Sequence, residues 1–190
     1  MADTKYCLCC DEQVPFGTVV RNERREVTCD YCGFTLDVMG AAEPQKAENK
    51  GHALVADDSL FTRKIIVELI TERKFSSDVM AFENGLELIT AYSKLLTEKR
   101  PVDVAIIDLN MPVMDGLTAA RTVRALEAQN KATNVPIVFF SAEKADEALK
   151  NQMQNLEPAY YVNKGSDPDP DKLAARVEYL LGYLREKFPQ

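Results

Sequence analysis

Asp57 and Asp58 stand side by side at the end of the apolar run ALVAD, Asp108 ends VDVAIID, Ser141 ends PIVFFS, and Lys164 directly follows AYYVN. Three carboxylates held close together repel one another and drive their own pKa values up unless a cation sits among them. Hard oxygen ligands of this kind suit magnesium, which takes one or two protein carboxylates and keeps several waters. With that charge cancelled, one aspartate can attack phosphorus as a nucleophile, while an ammonium and a hydroxyl hold the phosphate oxygens. Each residue alone has a plainer meaning. Asp57-Asp58-Ser59 is a helix cap with charge at the favourable end of the dipole. Asp108 is a strand terminator before Pro112, Ser141 a cap, and Lys164 a solvated cation. The chemical reading rests on all of them closing the appropriate strands of one alternating fold.

A second constellation lies at the other end of the chain. Cys7-Leu-Cys-Cys10 and Cys29-Asp-Tyr-Cys32 are two C-x-x-C pairs with eighteen residues between them, a spacing that suits a four-thiolate zinc site. All five cysteines fall between Cys7 and Cys32, and in a reducing compartment metal binding is favoured over disulfides. The stretches FGTVVRN and GFTLDVM can form short hairpins. A segment of about 40 residues builds little core, so bound metal would supply much of its folding energy. This part looks like a zinc ribbon, with Cys7, Cys10, Cys29 and Cys32 as ligands. Cys9 is a spare thiol or a substitute ligand. A redox C-x-x-C competes, but the strand and helix that normally flank it are missing.

The elements that must position the carboxylates follow from periodicity. Residues 41–51 carry no large apolar side chain and read as a linker between a module at 1–40 and a domain at 52–190. Beyond it, apolar runs alternate with helical spacing five times. ALVAD precedes a helix over Leu60 to Lys74 with Ile65, Ile66, Leu69 and Ile70 inward and Ser59 as cap. A short strand over Asp78 to Phe82 precedes a helix opening after Asn84-Gly85, with Leu86, Ile89, Tyr92 and Leu96 on its inner face. VDVAIID is apolar nearly throughout, as a strand covered on both faces of a parallel sheet must be. The turn-rich LNMPVMDG leads to a helix over Leu117 to Gln129, PIVFFS to one over Glu143 to Gln154, and AYYVN to a last helix opened by Asp169-Pro170. That last helix carries Leu173, Val177, Leu180, Leu181 and Leu184 at helical spacing. Right-handed crossovers then require an open, doubly wound α/β sheet, in which ligands sit outside the carboxyl ends of the strands.

In ALVADDS, AIIDLNMPVMDG, IVFFSAEK and YYVNKG the chain resembles the receiver domain of two-component response regulators, the CheY-like family, from His52 to near Phe188. The resemblance implies a five-stranded flavodoxin-like parallel sheet of strand order 2-1-3-4-5. It implies Asp108 as phosphoacceptor, Asp57 and Asp58 as the magnesium pair together with Asp108, and Asn110 as a magnesium ligand through its main-chain carbonyl. Lys164 would be the phosphate contact, Ser141 the switch hydroxyl and Tyr161 the rotating aromatic, although a core tyrosine is the alternative there. A histidine kinase would be the phosphodonor, and an unknown downstream protein would meet the surface of the fourth helix, fifth strand and fifth helix. Asn110 and Glu143, two residues beyond the phosphoacceptor and the hydroxyl, resemble the fast-resetting chemotaxis type and imply a short-lived phosphoryl group. The family's lysine is usually followed by proline, whereas Lys164 is followed by Gly165. A non-proline cis bond costs about 3 kcal/mol, so a looser loop with the lysine still in reach is expected.

Composition limits the alternatives. The net charge is −7 and the sequence pI about 4.9, so no overall positive field gathers nucleic acid or anionic lipid. Residues 1–40 hold four basic against seven acidic side chains, which disfavours nucleic acid for the ribbon too; Arg21 to Arg25 reads as a solvated hairpin tip. His52, the only histidine, reads as an ordinary strand residue. No apolar run reaches the roughly 18 residues of a membrane span, and MADTKYCLCC lacks a charged start followed by an apolar core, so a cytoplasmic protein is expected; a monomer or weak homodimer is the expected assembly. The protein is then a signalling switch, not an enzyme beyond its own phosphoryl transfer and dephosphorylation. A transcription regulator acting through the ribbon is the alternative. An aspartate-nucleophile phosphatase of the haloacid dehalogenase type fits less well, because its nucleophile leads in a D-x-D motif, whereas here the acid pair leads and Asp108-Leu-Asn110 follows.

Overall fold

The computed structural model describes residues 4–7, 10, 12–21, 24–31, 33, 35–39, 51–143, 145–165 and 169–187. Four N-terminal strands, β1 (Thr4–Cys7), β2 (Glu12–Arg21), β3 (Arg24–Cys29) and β4 (Thr35–Met39), form an antiparallel sheet in that order. Arg21 pairs with Arg24, so the basic cluster does flank a hairpin end. The expected linker falls outside the described residues except for Gly51. Gly51 donates its N–H to Asp103 (2.9 Å), while its carbonyl accepts from the Ser77 N–H (2.9 Å) and hydroxyl (2.8 Å). Gly51 is itself buried, bonded to residues of the larger domain.

That domain comprises β5 (His52–Ala56), α1 (Leu60–Glu72), β6 (Asp78–Phe82), α2 (Gly85–Thr97), β7 (Val102–Ile107), α3 (Gly116–Asn130), β8 (Ile137–Ser141), α4 (Glu147–Gln154), β9 (Ala159–Asn163) and α5 (Pro170–Lys187). The strands run parallel in the order β6-β5-β7-β8-β9, the doubly wound arrangement expected. β5 and β8 are buried along their whole length, which is why they read as unbroken apolar runs.

Polar caps set where the helices begin. Ser59, Asn84, Asp115 and Asp146 each accept a hydrogen bond from the main-chain N–H three residues on. The Asp146 cap makes α4 start four residues later than expected, because residues before it are engaged elsewhere. On α2 the inner face also differs from expectation. Leu88, Tyr92 and Leu95 are buried, Ile89 and Leu96 only half so, and Leu86 is 47% exposed. Two overlapping apolar stripes share Tyr92, whose hydroxyl donates to the fully buried Glu127 of α3 (2.8 Å), and the one that is buried carries Leu88 and Leu95. The apolar face expected of α5 is buried in full.

Candidate functional site

The carboxyl ends of β5 and β7 are adjacent, since Ala56 pairs with Ile107. The residues just beyond them therefore meet. Oxygens of Asp57, Asp58 and Asp108 lie within 4.8 Å of one another, with Asp57 and Asp108 buried and Asp58 exposed. The Lys164 ammonium bridges two of them, 2.6 Å from Asp57 Oδ2 and 2.8 Å from Asp108 Oδ2. Burial holds the Asp57 carboxyl above its ordinary value, against the pull of Lys164 and helped by the charge of Asp108. A buried acid kept uncomfortable in this way, beside two more oxygen donors, fits a hard divalent cation such as magnesium.

The main chain around these side chains is tightly fixed. Asp57 Oδ1 accepts from the Ser59 N–H (3.0 Å), and the Asp108 N–H donates to the Ala56 carbonyl (2.8 Å). Sequence reasoning missed Arg63. Its buried guanidinium donates to the main-chain carbonyls of Asp57 (2.6 Å) and Asp58 (3.1 Å) and to Glu83 (2.8 Å). An arginine on a helix ordinarily points to water, so spacing gives no signal that this one clamps the acidic loop. After Asp108 the chain turns sharply. The Met114 N–H donates to the Pro112 carbonyl (2.7 Å), with Val113 between them at φ 67°, a strained γ-turn for a β-branched residue. Gly116 then passes so close to Asp108 that a Cβ there would stand 2.1 Å from the Asp108 carbonyl oxygen.

Ser141 is buried at the end of β8, and its carbonyl accepts from the Lys164 N–H (2.8 Å), tying hydroxyl and lysine positions together. Tyr161 is also buried, and its hydroxyl donates to the Glu143 carbonyl, which accepts from the Asn163 amide as well (2.8 Å). Those two bonds occupy the stretch once expected to open α4. Asn110 is exposed, two residues beyond Asp108. Among the described residues the only cis peptide is Glu157-Pro158. Lys164-Gly165 is therefore trans, with Gly165 at φ 80°, and the lysine still spans both carboxylates.

In the N-terminal sheet the sulfurs of Cys7, Cys10 and Cys29 also lie within 4.8 Å of one another. Cys10 and Cys29 are 3.8 Å apart, and thiolates at about 2.3 Å around a tetrahedral zinc stand about 3.8 Å from each other. The Tyr31 N–H points at the Cys29 sulfur (3.3 Å). Cys32, the expected fourth ligand, and Cys9 lie outside the described residues.

Comparison with known proteins agrees with this geometry. The family model of the response regulator receiver domain matches residues 53–178. The Campylobacter jejuni chemotaxis protein CheY homolog is 37% identical over 133 residues, covering 68% of this chain and 91% of that protein. Hybrid signal transduction histidine kinase E of Dictyostelium discoideum is 29% identical over 117 residues, 62% of this chain but 6% of that protein. The chain thus spans only a small part of the hybrid kinases it matches. The Arabidopsis thaliana receiver domain of the histidine kinase CKI1, complexed with Mg2+, shares the fold at a TM-score of 0.56 and 21% identity, covering 74% of this chain and 99% of that one. No helix among the described residues is long and apolar enough to cross a membrane. The zinc-ribbon expectation for the N-terminal sheet rests on its cysteines alone. With two thirds of its length matched by the family model, the chain belongs to the response regulator receiver domain family.

Proposed function

We propose that the chain is a phosphorylatable switch in which Asp108 accepts a phosphoryl group from a phosphohistidine of a histidine kinase. The observation that carries this reading is the Lys164 ammonium seated between Asp57 and Asp108 with Asp58 alongside. Magnesium would be held by Asp57, Asp58, Asp108 and the Asn110 carbonyl, and would neutralise the charge that otherwise repels phosphate.

A carboxylate oxygen of Asp108 attacks phosphorus in line with the leaving nitrogen. The P–O bond forms, the P–N bond breaks, and the imidazole keeps the electron pair and takes a proton from solvent. Lys164 then moves its hydrogen bonds from the two carboxylates to the new phosphoryl oxygens, and the Ser141 hydroxyl turns toward them. Tyr161 follows the main chain it is bonded to. Water attacking the same phosphorus restores the Asp108 carboxylate and releases inorganic phosphate. Asn110 and Glu143, both exposed, leave room for that water, so the phosphoryl group is short-lived. Beyond these two self-directed steps the chain catalyses nothing, and it acts by changing how it meets a downstream protein.

The three clustered sulfurs support zinc in the N-terminal sheet with Cys32 as fourth ligand, in a reducing compartment such as the cytoplasm. Intact mass after treatment with acetyl phosphate and magnesium tests the central claim. The native chain gains one phosphoryl group and Asp108→Asn gains none; an unmodified native chain ends the reading.

A further inference from the structure

The N-terminal sheet touches the larger domain through a polar seam at the face made by α4, β9 and α5. Arg176 of α5 is buried, donating to the Asn163 carbonyl (2.8 Å) and to the Tyr6 hydroxyl of β1 (3.4 Å). The Tyr179 hydroxyl, also on α5, donates to the Leu36 carbonyl of β4 (2.8 Å). The Lys150 ammonium of α4 donates to the Tyr31 carbonyl (3.0 Å), and the N–H of that same tyrosine contacts the Cys29 sulfur.

These contacts reach the phosphoryl site in one step. Asn163 and Gly165 flank Lys164; the Gly165 N–H donates to Asn163 Oδ1 (2.6 Å), and a Cβ on Gly165 would stand 2.9 Å from the Arg176 guanidinium carbon. Proline's ring cannot adopt the φ of 80° found at Gly165, and the missing side chain there lets the Arg176 guanidinium lie against the turn after Lys164. On the other side, Tyr31 joins a candidate metal ligand to α4, the helix that follows Ser141 and Glu143. Tyr6, Tyr31 and Tyr179 remain 46%, 57% and 39% exposed, so the hydrogen bonds of the seam lie at its wet edge, where small shifts can open them.

We propose that the cysteine-bearing sheet is the receiver's resident partner, docked on the α4, β9 and α5 face, and that phosphorylation of Asp108 loosens it through Asn163, Arg176 and Tyr6. The inference rests on the phosphoacceptor reading above. Drawing Lys164 and Ser141 toward a phosphoryl group shifts the Asn163 and Glu143 main chain, whose bonds to Arg176 and Tyr161 fit the unphosphorylated arrangement. By linkage, loosening the sheet favours phosphorylation to the same degree.

Hydrogen exchange on the zinc-loaded full chain, with and without acetyl phosphate and magnesium and with intact mass read in parallel, tests it. On phosphorylation, amides of β1 to β4 should exchange faster by about fivefold, the low end of ordinary coupling. The double variant Tyr6→Phe, Tyr179→Phe keeps both rings and leaves the acidic site untouched. It should exchange fast before phosphorylation, show little further change after it, and carry phosphoryl at a higher equilibrium level. A native chain that gains phosphoryl by mass yet exchanges unchanged overturns the coupling and leaves the phosphoacceptor reading standing. So does a variant that keeps the full phosphorylation-dependent change. A native chain that gains no phosphoryl group removes both.

Discussion

Asp57 and Asp108 sit on the rim of a parallel sheet in which β5 and β8 are buried from end to end and β7 over its last four residues. Cys7, Cys10 and Cys29 sit in a four-stranded sheet whose buried apolar side chains, among the described residues, are Cys7, Val14, Val27, Cys29 and Leu36. Two of those five are candidate ligands themselves. In the first region the fold precedes the ligand: the Lys164 bridge offsets the repulsion between Asp57 and Asp108, and Arg63 fixes the main chain of Asp57 and Asp58. In the second, the apolar core is small, so a metal held by the three sulfurs would supply much of the folding energy. A site that exists before its cation can afford exchangeable magnesium, whereas a site that folds around its metal needs a tight one.

The sharpest way to break this comparison is to remove metal from each side in turn. Strong chelation, or Cys7→Ser with Cys29→Ser, should abolish amide protection throughout β1 to β4 while the strands from β5 to β9 keep theirs. Removing magnesium should leave both sheets folded. Exchange mass spectrometry reads both, and a cysteine sheet that stays protected without metal would defeat the contrast.

A smaller effect is expected from the stress in the acidic rim. The folded pKa of Asp57 is raised above its ordinary 3.8, so its contribution is most favourable below that unfolded value and is lost as pH rises through the raised folded one. Asp57→Asn should therefore raise Tm at neutral pH without magnesium. The gain should shrink to nothing as pH falls toward 3.8, and magnesium binding should be lost at every pH. Thermal melts across pH with and without magnesium check it; a variant less stable than the native chain at neutral pH would show that Lys164 already relieves the acid.

The least effect should come from Val113, 79% exposed and held at positive φ. Val113→Asn, which tolerates that backbone region, should stabilise by about 0.5–1 kcal/mol in denaturant melts while leaving phosphoryl uptake intact. No gain would mean that the turn after Asp108 stores no strain.

Much of the larger domain was legible because its signals are local. Strand ends, cap residues at Ser59 and Asn84 and the apolar spacing of α5 all lie within a few residues of what they determine. The errors came where a distant residue decides. The inner stripe of α2 is the one that buries Leu88 and Leu95, and the start of α4 is set by Tyr161 and Asn163 on β9. In the N-terminal sheet the cysteine spacing indicated ligands, while β3 carried no apolar run to announce it.

By itself the sequence determined the identity of the acid, hydroxyl and amine groups and the strands that each would end, because alternation and strand length are properties of short segments. Only the tertiary structure decided that Lys164 spans Asp57 and Asp108 with a trans peptide before glycine, that Arg63 turns inward, and that Arg176 reaches from Asn163 to Tyr6. Those are contacts between residues far apart in the chain. Long polar side chains can satisfy their hydrogen bonds in water or in protein, and only the packed surroundings fix which they do.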